Sequence, residues 1–559
     1  MKILSKLLLI AIAIHGLFLA NFLLFHNFFQ QDEWHGFGIM LSLKNEYVTL
    51  YRSPMELLLG DRFGARGITY TMFNFFKLNP IPYGLLAFGY HAINTFLVYK
   101  LSQKLTKQTA LSLLAALFFL INEVGNEAYT WFGTMNGSAI SVSFLLASLI
   151  FYLQYAQGDK KYRHLVFSLM TLWISFLFKE IASFVFLLYP IIFYIYNPNV
   201  LKNIKFFLKI HIPFAVFAIV IISYLIKSVL FIPGDRANYV ATDHSFIQTL
   251  IIRIIQYPFE GFTQTILPNE ITFKISGLLT QVLSPSLIPQ TTDFDIAAQT
   301  TNAEIAIAIF SLIFFAIIFF AILKLRKNND LPMMQTLIIS TLMGILSFLP
   351  YIIINRSFSY FDSRYYYTST VALSIVLAVL LYSTIGIKTY ARKILLGVLI
   401  FGYIFMHESV LFSDIQLLSE RASERQFFLT EVKQTIPTLK NKTVFYLTGD
   451  SGGYYGLEEL KAPFQSGPGH VLMVHYTLEH QLSPDFFRED PWTKALDVGF
   501  LYDILGQGYR EVGNQGFGYY YNKVDLQKDL DRKLFSENDI IALYYNSEDK
   551  KLKKIQYEK

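Results

Sequence analysis

The chain has 559 residues, of which 53% are hydrophobic and only 16% are Asp, Glu, Lys or Arg. Soluble domains carry about 25% charged residues, so the composition excludes an ordinary soluble protein and predicts a chain that lies mostly in a lipid bilayer. The formal charge of +6 does not indicate nucleic-acid binding, because the basic residues lie in short segments between apolar runs, and the lack of cysteine excludes disulfides and thiolate chemistry.

Apolar runs recur along the chain, and a helical crossing of a bilayer needs about 20 such residues. The first run begins with Lys2 and Lys6 but is long and is followed by no small-residue cleavage motif, so we predict a retained span rather than a signal peptide. The run 164–196 is too long for one crossing and is interrupted by Lys179-Glu180, so we interpret it as two short spans. About eleven spans are predicted, over residues 4–25, 82–101, 110–127, 138–156, 164–178, 181–196, 206–231, 303–323, 333–354, 366–386 and 393–411.

Basic residues lie in every second connection between these spans, which by the positive-inside rule places those connections in the cytoplasm. The N-terminus is then cytoplasmic, and the acidic pair Asp32-Glu33, the segment 232–302 and everything after residue 411 lie on the outer side. The basic connections carry Lys100, Lys104 and Lys107; Lys160, Lys161 and Arg163; Lys202, Lys205 and Lys209; Lys324, Arg326 and Lys327; and Lys388, Arg392 and Lys393.

The outer segments have a periodicity of their own. Residues 26–81 and 232–302 contain apolar–polar helical patterns, for which interfacial helices and plain loop packing are both open interpretations. The tail is predicted to start with an amphipathic helix over 412–437 and to contain strands at 442–447, 470–475, 516–523 and 539–545. The predicted fold is therefore an α-helical polytopic membrane protein with a transmembrane module, 1–411, and a small extracytoplasmic α/β domain, 412–559.

Ionisable residues gather where the predicted spans reach the outer surface. Charges at membrane depth are costly and usually face a polar cavity or a partner. A carboxylate there can take a proton from an incoming hydroxyl, and an Arg or Lys can stabilise a leaving phosphate, so the pattern favours transfer of a sugar from a polyprenyl phosphate. The residues are Asp32, Glu33, His35, Arg62, Arg66, Glu123, Glu127, Lys179, Glu180, Arg356, Asp362 and Arg364.

Each candidate also has a purely structural interpretation. Asp32 and Glu33 are adjacent and point in different directions, so at most one is catalytic and both could be solvated loop acids. Glu123 and Glu127 would share a face of a helix and could be an ordinary helix-end pair. The remaining interpretations are a charged turn for Lys179-Glu180, an interface anchor for Arg364, and helix–helix hydrogen bonds for His91 and Asn94.

Short motifs follow the acidic pair in a distinctive order. They are Arg66; Leu78-Asn79-Pro80 and Tyr83 before His91 and Asn94; Ile121 to Trp131 (INEVGNEAYTW); Phe178-Lys179-Glu180; and Ser363 to Tyr367 (SRYYY). Over residues 1–385 this order resembles the C superfamily of glycosyltransferases (GT-C). Within it, the chain is similar to the bacterial and archaeal relatives of the transmembrane O-mannosyltransferases that carry tetratricopeptide repeats.

The resemblance implies a function and a set of roles. Asp32 matches the acid that serves as catalytic base, and Glu33 or Glu127 would orient the acceptor or a metal. The implied reaction moves a sugar, mannose in these relatives, from a polyprenyl-phosphate donor to an extracytoplasmic protein, lipid or glycan at a prokaryotic cell membrane. No cofactor is required, although some related enzymes use Mg²⁺ or Mn²⁺. The donor phosphate would be held by Arg364, Lys179 and Arg66, with Glu123, Glu180 and His35 in support.

The chain also departs from this pattern. Asn122-Glu123 stands where relatives often carry His-Pro, and Gly133 to Asn136 stands where an Arg commonly follows the tryptophan. The tetratricopeptide tail is replaced by residues 412–559. These departures leave the sugar and the acceptor undefined. They also keep two alternatives: a transporter or flippase of lipid-linked sugars, and a membrane scaffold with degenerate catalytic residues.

Overall fold

The computed structural model describes residues 2–30, 32–42, 62–159, 161–179, 184–230, 246–283, 303–353, 362–385, 390–450, 454, 461–465, 467–487 and 507–557. Helices dominate as far as residue 435, and a five-stranded sheet with flanking helices follows. The predicted combination of a helical module with a small α/β region is therefore seen in the described part of the chain. Arg356, Glu180 and residues 43–61 of the predicted outer segment 26–81 lie outside the described residues.

Ten α-helices are described between the N-terminus and residue 196. They are α1 Lys2–Phe25, α2 Asp32–Ser42, α3 Phe63–Phe76, α4 Pro80–Thr106, α5 Thr109–Ile121, α6 Glu127–Thr130, α7 Phe132–Met135, α8 Ser138–Gln154, α9 Tyr162–Phe178 and α10 Leu188–Tyr196.

The remaining helices of the apolar region begin near residue 204. They are α11 Ile204–Leu230, α12 Phe246–Gln264, α13 Asn269–Leu283, α14 Ala303–Lys327, α15 Leu331–Leu346, α16 Tyr367–Ile385 and α17 Tyr390–Thr435. Two 3₁₀ turns, Glu123–Gly125 and Ser363–Tyr365, lie beside the candidate site.

Six helices among the described residues are long and apolar enough to cross a bilayer. Their lengths and composition are those of a multi-pass membrane protein. The predicted number of about eleven spans is not confirmed, because the other predicted spans form helices that are shorter or less apolar. The six are Ser5–Phe25, Phe132–Gly158, Pro198–Val220, Ala303–Lys327, Leu331–Ile352 and Tyr390–Thr435.

Two predicted boundaries differ from the structure, and a third agrees with it. The third predicted span ends at Ile121 rather than at residue 127, because Asn122 turns the chain and its side chain accepts a hydrogen bond from the Val124 amide. The break predicted at Lys179-Glu180 does separate α9 from α10. The span predicted over 393–411 and the helix predicted over 412–437 are one continuous helix, α17, of 46 residues.

Serine side chains form hydrogen bonds between two closely packed apolar helices, α8 and α9. Ser141 and Ser148 of α8 face Ser175 and Ser168 of α9, with Oγ–Oγ distances of 3.0 and 3.1 Å. The seven-residue spacing on both helices keeps these small residues on one seam, which allows the close approach seen in membrane helix pairs.

The helix–helix interpretation of His91 and Asn94 is confirmed. His91 Nδ1 lies 2.9 Å from the Tyr367 hydroxyl of α16, and Asn94 Nδ2 donates to the Ala139 carbonyl of α8 at 2.8 Å. Both side chains are buried, so each hydrogen bond satisfies a group that water cannot reach.

The C-terminal region is built on a mixed sheet. Its elements are β1 Lys442–Gly449, α18 Pro468–Leu478, β2 Gly508–Val512, β3 Gln515–Tyr520, α19 Lys523–Asp531, β4 Ile540–Asn546 and β5 Lys551–Ile555. The strand order is β2-β3-β1-β4-β5. The central β1 runs parallel to β3 and β4, and β2 and β5 are antiparallel edges.

One predicted strand is wrong, because residues 470–475 lie in helix α18. Pro468 occupies the first turn of this helix after Gly467, whose φ of 76° is a left-handed conformation that glycine tolerates. The residues of α18 from Pro468 to Thr477 are all buried, so the apolar run lacks the polar face that distinguishes a helix from a strand.

Candidate active site

The connection between α5 and α8, residues 122–137, forms one wall of the site. Its two short helices are separated at Trp131, whose backbone is extended. Asn27, just after α1, donates from Nδ2 to the Thr130 carbonyl at 2.6 Å, and Asn136 Nδ2 donates to Thr69 of α3 at 2.8 Å. The connection is thus held from both sides by the elements that flank the acidic pair.

Arg364 forms two ion pairs beside this connection. Its Nη1 lies 3.2 Å from Glu127 Oε2, and its Nη2 lies 2.8 Å from Asp362 Oδ2. The guanidinium carbon also lies 5.0 Å from the ring centroids of both Trp131 and Tyr365. Two carboxylates and two aromatic rings therefore fix the orientation of this cation.

Lys179 approaches the same aromatic ring. Its Nζ lies 5.3 Å from the centroid of Tyr365 and donates to Ser138 Oγ at 2.7 Å. Lys179 is buried, and such a charge must be matched by polar neighbours. Two cations, from the end of α9 and from the turn before α16, thus converge on one tyrosine.

Glu33 reaches the connection from α2. Its Oε1 accepts a hydrogen bond from the Gly133 amide at 3.0 Å, and the residue is buried. A Cβ atom on Gly133 would lie 3.0 Å from Trp131 Nε1 and 3.4 Å from Glu33 Cδ. The Glu33 carboxyl group and the Trp131 indole therefore both lie against Gly133. The indole ring also contacts the guanidinium of Arg364.

The connection is also anchored to α17. Asn126 Nδ2 donates to Asp414 at 2.9 Å, and the Glu123 amide donates to His407 Nδ1 at 3.3 Å. His407 Nε2 lies 3.1 Å from the Ile266 carbonyl, so the proton sits on Nε2 and Nδ1 is the acceptor. The backbone of Glu123 is thus tied to α17 through His407.

The pKa values of Glu127 and Glu123 are set by different neighbours. Burial raises the pKa of Glu127, while the Arg364 guanidinium lowers it. Burial raises the pKa of Glu123 well above its ordinary value, and the nearby carboxylates of Asp414, Glu270 and Glu127 raise it further. Burial would lower the pKa of Arg364, but Asp362 and Glu127 raise it, so this cation stays charged.

The predicted site residues are therefore only partly brought together. Glu33, Glu127, Lys179 and Arg364 surround one stretch of chain, from Trp131 to Ser138. Glu123 and Glu127, predicted to share a helix face, lie on two different turns. Arg66 is exposed on α3. Asp32 begins α2 and His35 follows in its first turn, and their side chains lie outside the described residues.

Sequence reasoning missed some residues of the site or gave them no role. Asp362 was among the ionisable residues expected at the outer surface but received no role, although it is two residues from Arg364 and of opposite charge. Ser138 is 41 residues from Lys179 and is an ordinary serine in sequence, so no local pattern marks it. Ser363 Oγ donates to the Val124 carbonyl at 2.8 Å and accepts from the Glu127 amide at 3.2 Å, which fixes the turn that carries Arg364.

An apolar cavity of about 370 Å³ opens nearby between α12, α13, α14 and α16. Its lining includes Gln264, whose Oε1 accepts from the Tyr366 hydroxyl at 2.6 Å. Tyr366 is two residues from Arg364. Other lining residues are Thr263, Phe314, Ile317, Leu377 and Leu380.

The described residues contain no group of three or more His, Asp or Glu side chains arranged to hold a metal ion. The side chains of Asp32 and His35 are not part of that set.

No protein-family model and no curated protein matches the sequence. Among solved structures, the chain is similar to the apo oligosaccharyltransferase of Archaeoglobus fulgidus, with 12% identity and a TM-score of 0.40 over 79% of this chain and 62% of that chain. It is also similar to the oligosaccharyltransferase AglB of the same organism in complex with an inhibitory peptide and a dolichol-phosphate, with 13% identity and a TM-score of 0.41 over 84% and 63%.

A third similar structure is apo ArnT from Cupriavidus metallidurans, with 11% identity and a TM-score of 0.33 over 98% of this chain and 93% of that chain. The chain spans less than two thirds of the length of either oligosaccharyltransferase chain. Similarities this weak assign neither a family nor an activity, so the function is argued from the residues of this chain.

Proposed function

We propose that this protein is a GT-C-type membrane glycosyltransferase that moves a sugar from a polyprenyl-phosphate donor to an acceptor on the extracytoplasmic side. The observation that carries the proposal is the convergence of Lys179 and Arg364 on Tyr365, next to the wall that contacts Glu33 of α2. Mannose is the first sugar to test, because the motif order is similar to that of O-mannosyltransferase relatives.

The charges of the site suit a departing phosphate. Arg364 has five N–H donors. One from Nη1 goes to Glu127 and one from Nη2 goes to Asp362. Lys179 brings a second positive charge to the same ring. Fixed cations of this kind stabilise charge that develops on a leaving oxygen, and burial makes their interaction stronger than it would be in water.

The reaction has a simple balance. The acceptor hydroxyl gives its proton to a carboxylate, for which we propose Asp32, and its oxygen forms a bond to C1 of the sugar. The bond between C1 and the phosphate oxygen breaks, and its electron pair leaves with the lipid phosphate onto Arg364 and Lys179. Trp131 Nε1 is buried with no hydrogen-bond partner among the described residues, so it can donate to an oxygen of the bound substrate.

The lipid part of the donor needs an apolar site. The apolar cavity between α12, α13, α14 and α16 has a volume of about 370 Å³, and its lining includes Gln264, which accepts a hydrogen bond from Tyr366, two residues from Arg364. We propose that it takes the first isoprene units while the phosphate lies at the cations. This arrangement keeps the hydrocarbon chain in an apolar environment during transfer.

The test is transfer by the purified protein from a panel of labelled polyprenyl-phosphate sugars, starting with mannose. Asp32→Asn should lower kcat by about 10²–10⁴-fold through loss of the base, and Arg364→Gln by about 10²–10³-fold through loss of charge stabilisation. Arg326→Gln, at the far end of α14, should leave the rate unchanged. An apparent Tm for each variant separates lost chemistry from lost folding.

The same assay distinguishes the alternatives. Translocation of the donor across vesicles without any glycosyl product would support a flippase and contradict the proposal. No turnover with any donor would support a scaffold. A full rate for Asp32→Asn would show that the base is another residue. Treatment with EDTA tests metal dependence, and we expect an unchanged rate because the proposed reaction draws its charge stabilisation from Arg364 and Lys179.

A further inference from the structure

Helix α2, which carries Asp32 and Glu33, lies between the transmembrane helices and the C-terminal region. On the transmembrane side, Phe37 stacks on Phe73 of α3 with ring centroids 4.5 Å apart. Phe29, just before α2, meets Tyr83 of α4 and Phe132 of α7 edge-on at 4.9 and 5.7 Å. The acidic helix is therefore not an isolated surface loop.

Residues beside Phe37 on α2 meet the C-terminal region. Trp34 is fully buried and packs edge-on against Phe464 with centroids 5.7 Å apart. A Cβ atom on Gly38 would lie 2.2 Å from the ring of Phe487, which is possible only for a residue without a side chain. The Gln465 amide also lies 3.4 Å from the Gln30 carbonyl.

These C-terminal contacts are themselves held firmly. Phe464 packs on Phe428 of α17 at 5.5 Å, and Arg425 of α17 donates from Nε to the Pro463 carbonyl at 2.7 Å. The turn Pro484–Phe487 is fixed to β2, because Arg510 Nη1 donates to the Phe486 carbonyl at 2.9 Å. The surface that meets α2 is therefore anchored to both the long helix and the sheet.

We propose that the C-terminal region positions the acid-bearing helix for glycosyl transfer, and that Phe487 and Phe464 act as positioning residues through Gly38 and Trp34. This inference rests on the proposed function. Its physical basis is that Asp32 and Glu33 stand at the start of an 11-residue helix, so a shift of that helix moves both carboxylates. A misplacement of about 1 Å can cost about 10²-fold in rate.

The central experiment is a pair of matched glycine substitutions in the full-length protein. Gly38→Ala puts a methyl group into the ring of Phe487 and should lower kcat by about 10²-fold, with the KM for the donor unchanged. Gly36→Ala is the control, because a Cβ atom there meets nothing within 4 Å, and it should keep the wild-type kcat.

The double variant Gly38→Ala/Phe487→Leu replaces the ring by a smaller apolar side chain, which relieves the overlap while packing against α2 is kept, and it should recover most of the kcat lost in Gly38→Ala. A merely damaged fold would not recover in this way, because the second substitution also removes part of a buried side chain. The inference is overturned if Gly38→Ala behaves like Gly36→Ala, or if the double variant is as slow as Gly38→Ala while both keep the wild-type apparent Tm.

A second readout does not depend on activity. The chain has no cysteine, so Gly38→Cys/Phe487→Cys introduces the sole pair of thiols, and mild oxidation should link them. Gly36→Cys/Phe487→Cys should stay unlinked. If the Gly38→Cys/Phe487→Cys pair links but the wild-type protein transfers no sugar, the proposed function is refuted and the contact stands. If this pair does not link, the positioning contact itself is refuted.

Discussion

At the scale of single residues, Glu123 is a buried carboxyl group whose pKa is raised well above its ordinary value of 4.5 by burial and by neighbouring carboxylates. The folded state therefore keeps this proton at a pH at which the unfolded chain releases it. Its contribution to stability is present below about pH 4.5 and is lost as the pH rises towards the raised pKa, at up to about 1.4 kcal/mol per pH unit.

Glu123→Gln removes this titration and keeps the shape of the side chain. We expect the apparent Tm of the detergent-solubilised variant to fall less between about pH 5 and about pH 8 than that of the wild type. Glu420→Gln, an exposed glutamate on α17, is the control and should follow the wild-type pH profile. Parallel profiles for all three proteins would contradict a buried, protonated Glu123.

Sequence reasoning identified the residues of the site better than their partners. It grouped Glu127 and Arg364 at one level of the membrane, but the two are 237 residues apart, and only the packing of α6 against the turn before α16 makes them an ion pair. Lys179 and Ser138 show the same limit, because their contact depends on how α8 and α9 pack. Ionisable residues stand out in an apolar sequence, whereas a serine partner does not.

At the scale of elements, the crossing of α1 and α4 depends on one glycine. A Cβ atom on Gly84 would lie 1.9 Å from the Leu23 carbonyl oxygen, and a backbone atom cannot move aside as a side chain can. Gly84→Ala should therefore force the helices apart and cost about 1–3 kcal/mol, measured as a lower apparent Tm.

Gly89 on the same helix provides the comparison. A Cβ atom there meets nothing within 4 Å, so Gly89→Ala should be neutral or raise stability by about 0.5–1 kcal/mol through helix propensity. Equal losses for the two variants would mean that the crossing of α1 and α4 is less close than described.

Composition and length were enough to predict some secondary-structure elements and misleading for others. β1 alternates poorly but is short and rich in Val, Phe and Tyr, and its prediction was right. Residues 470–475 have a similar composition, and there the structure has a helix because Pro468 starts it and burial on all sides hides its period. The end of the third span was missed because Asn122, a polar residue that caps the following turn, was counted within the apolar run.

At the scale of the whole molecule, α17 is joined to the sheet by a buried polar cluster. Glu424 accepts hydrogen bonds from the hydroxyls of Tyr454 and Tyr545 and pairs with Arg421 at 3.1 Å. Glu424 is buried, so the loss of its carboxylate leaves the two hydroxyls without their acceptor.

Glu424→Ala should therefore destabilise the C-terminal region by about 3 kcal/mol, seen as earlier proteolysis of residues after 435 on heating. Arg421→Ala removes the more exposed partner of the pair and should cost about 1 kcal/mol or less. A larger loss of stability for Arg421→Ala than for Glu424→Ala would mean that the ion pair with Arg421, rather than the tyrosine hydrogen bonds, stabilises this contact.

The continuity of α17 has a mechanical consequence. Its 46 residues extend about 69 Å at about 1.5 Å per residue, more than twice the thickness of a hydrocarbon core of about 30 Å. A tilt of the helix within the lipid is therefore amplified at its far end. A tilt of about 5° would move an unrestrained end about 35 Å away by about 3 Å. A change in membrane thickness that tilts α17 would therefore strain the aromatic contacts around α2.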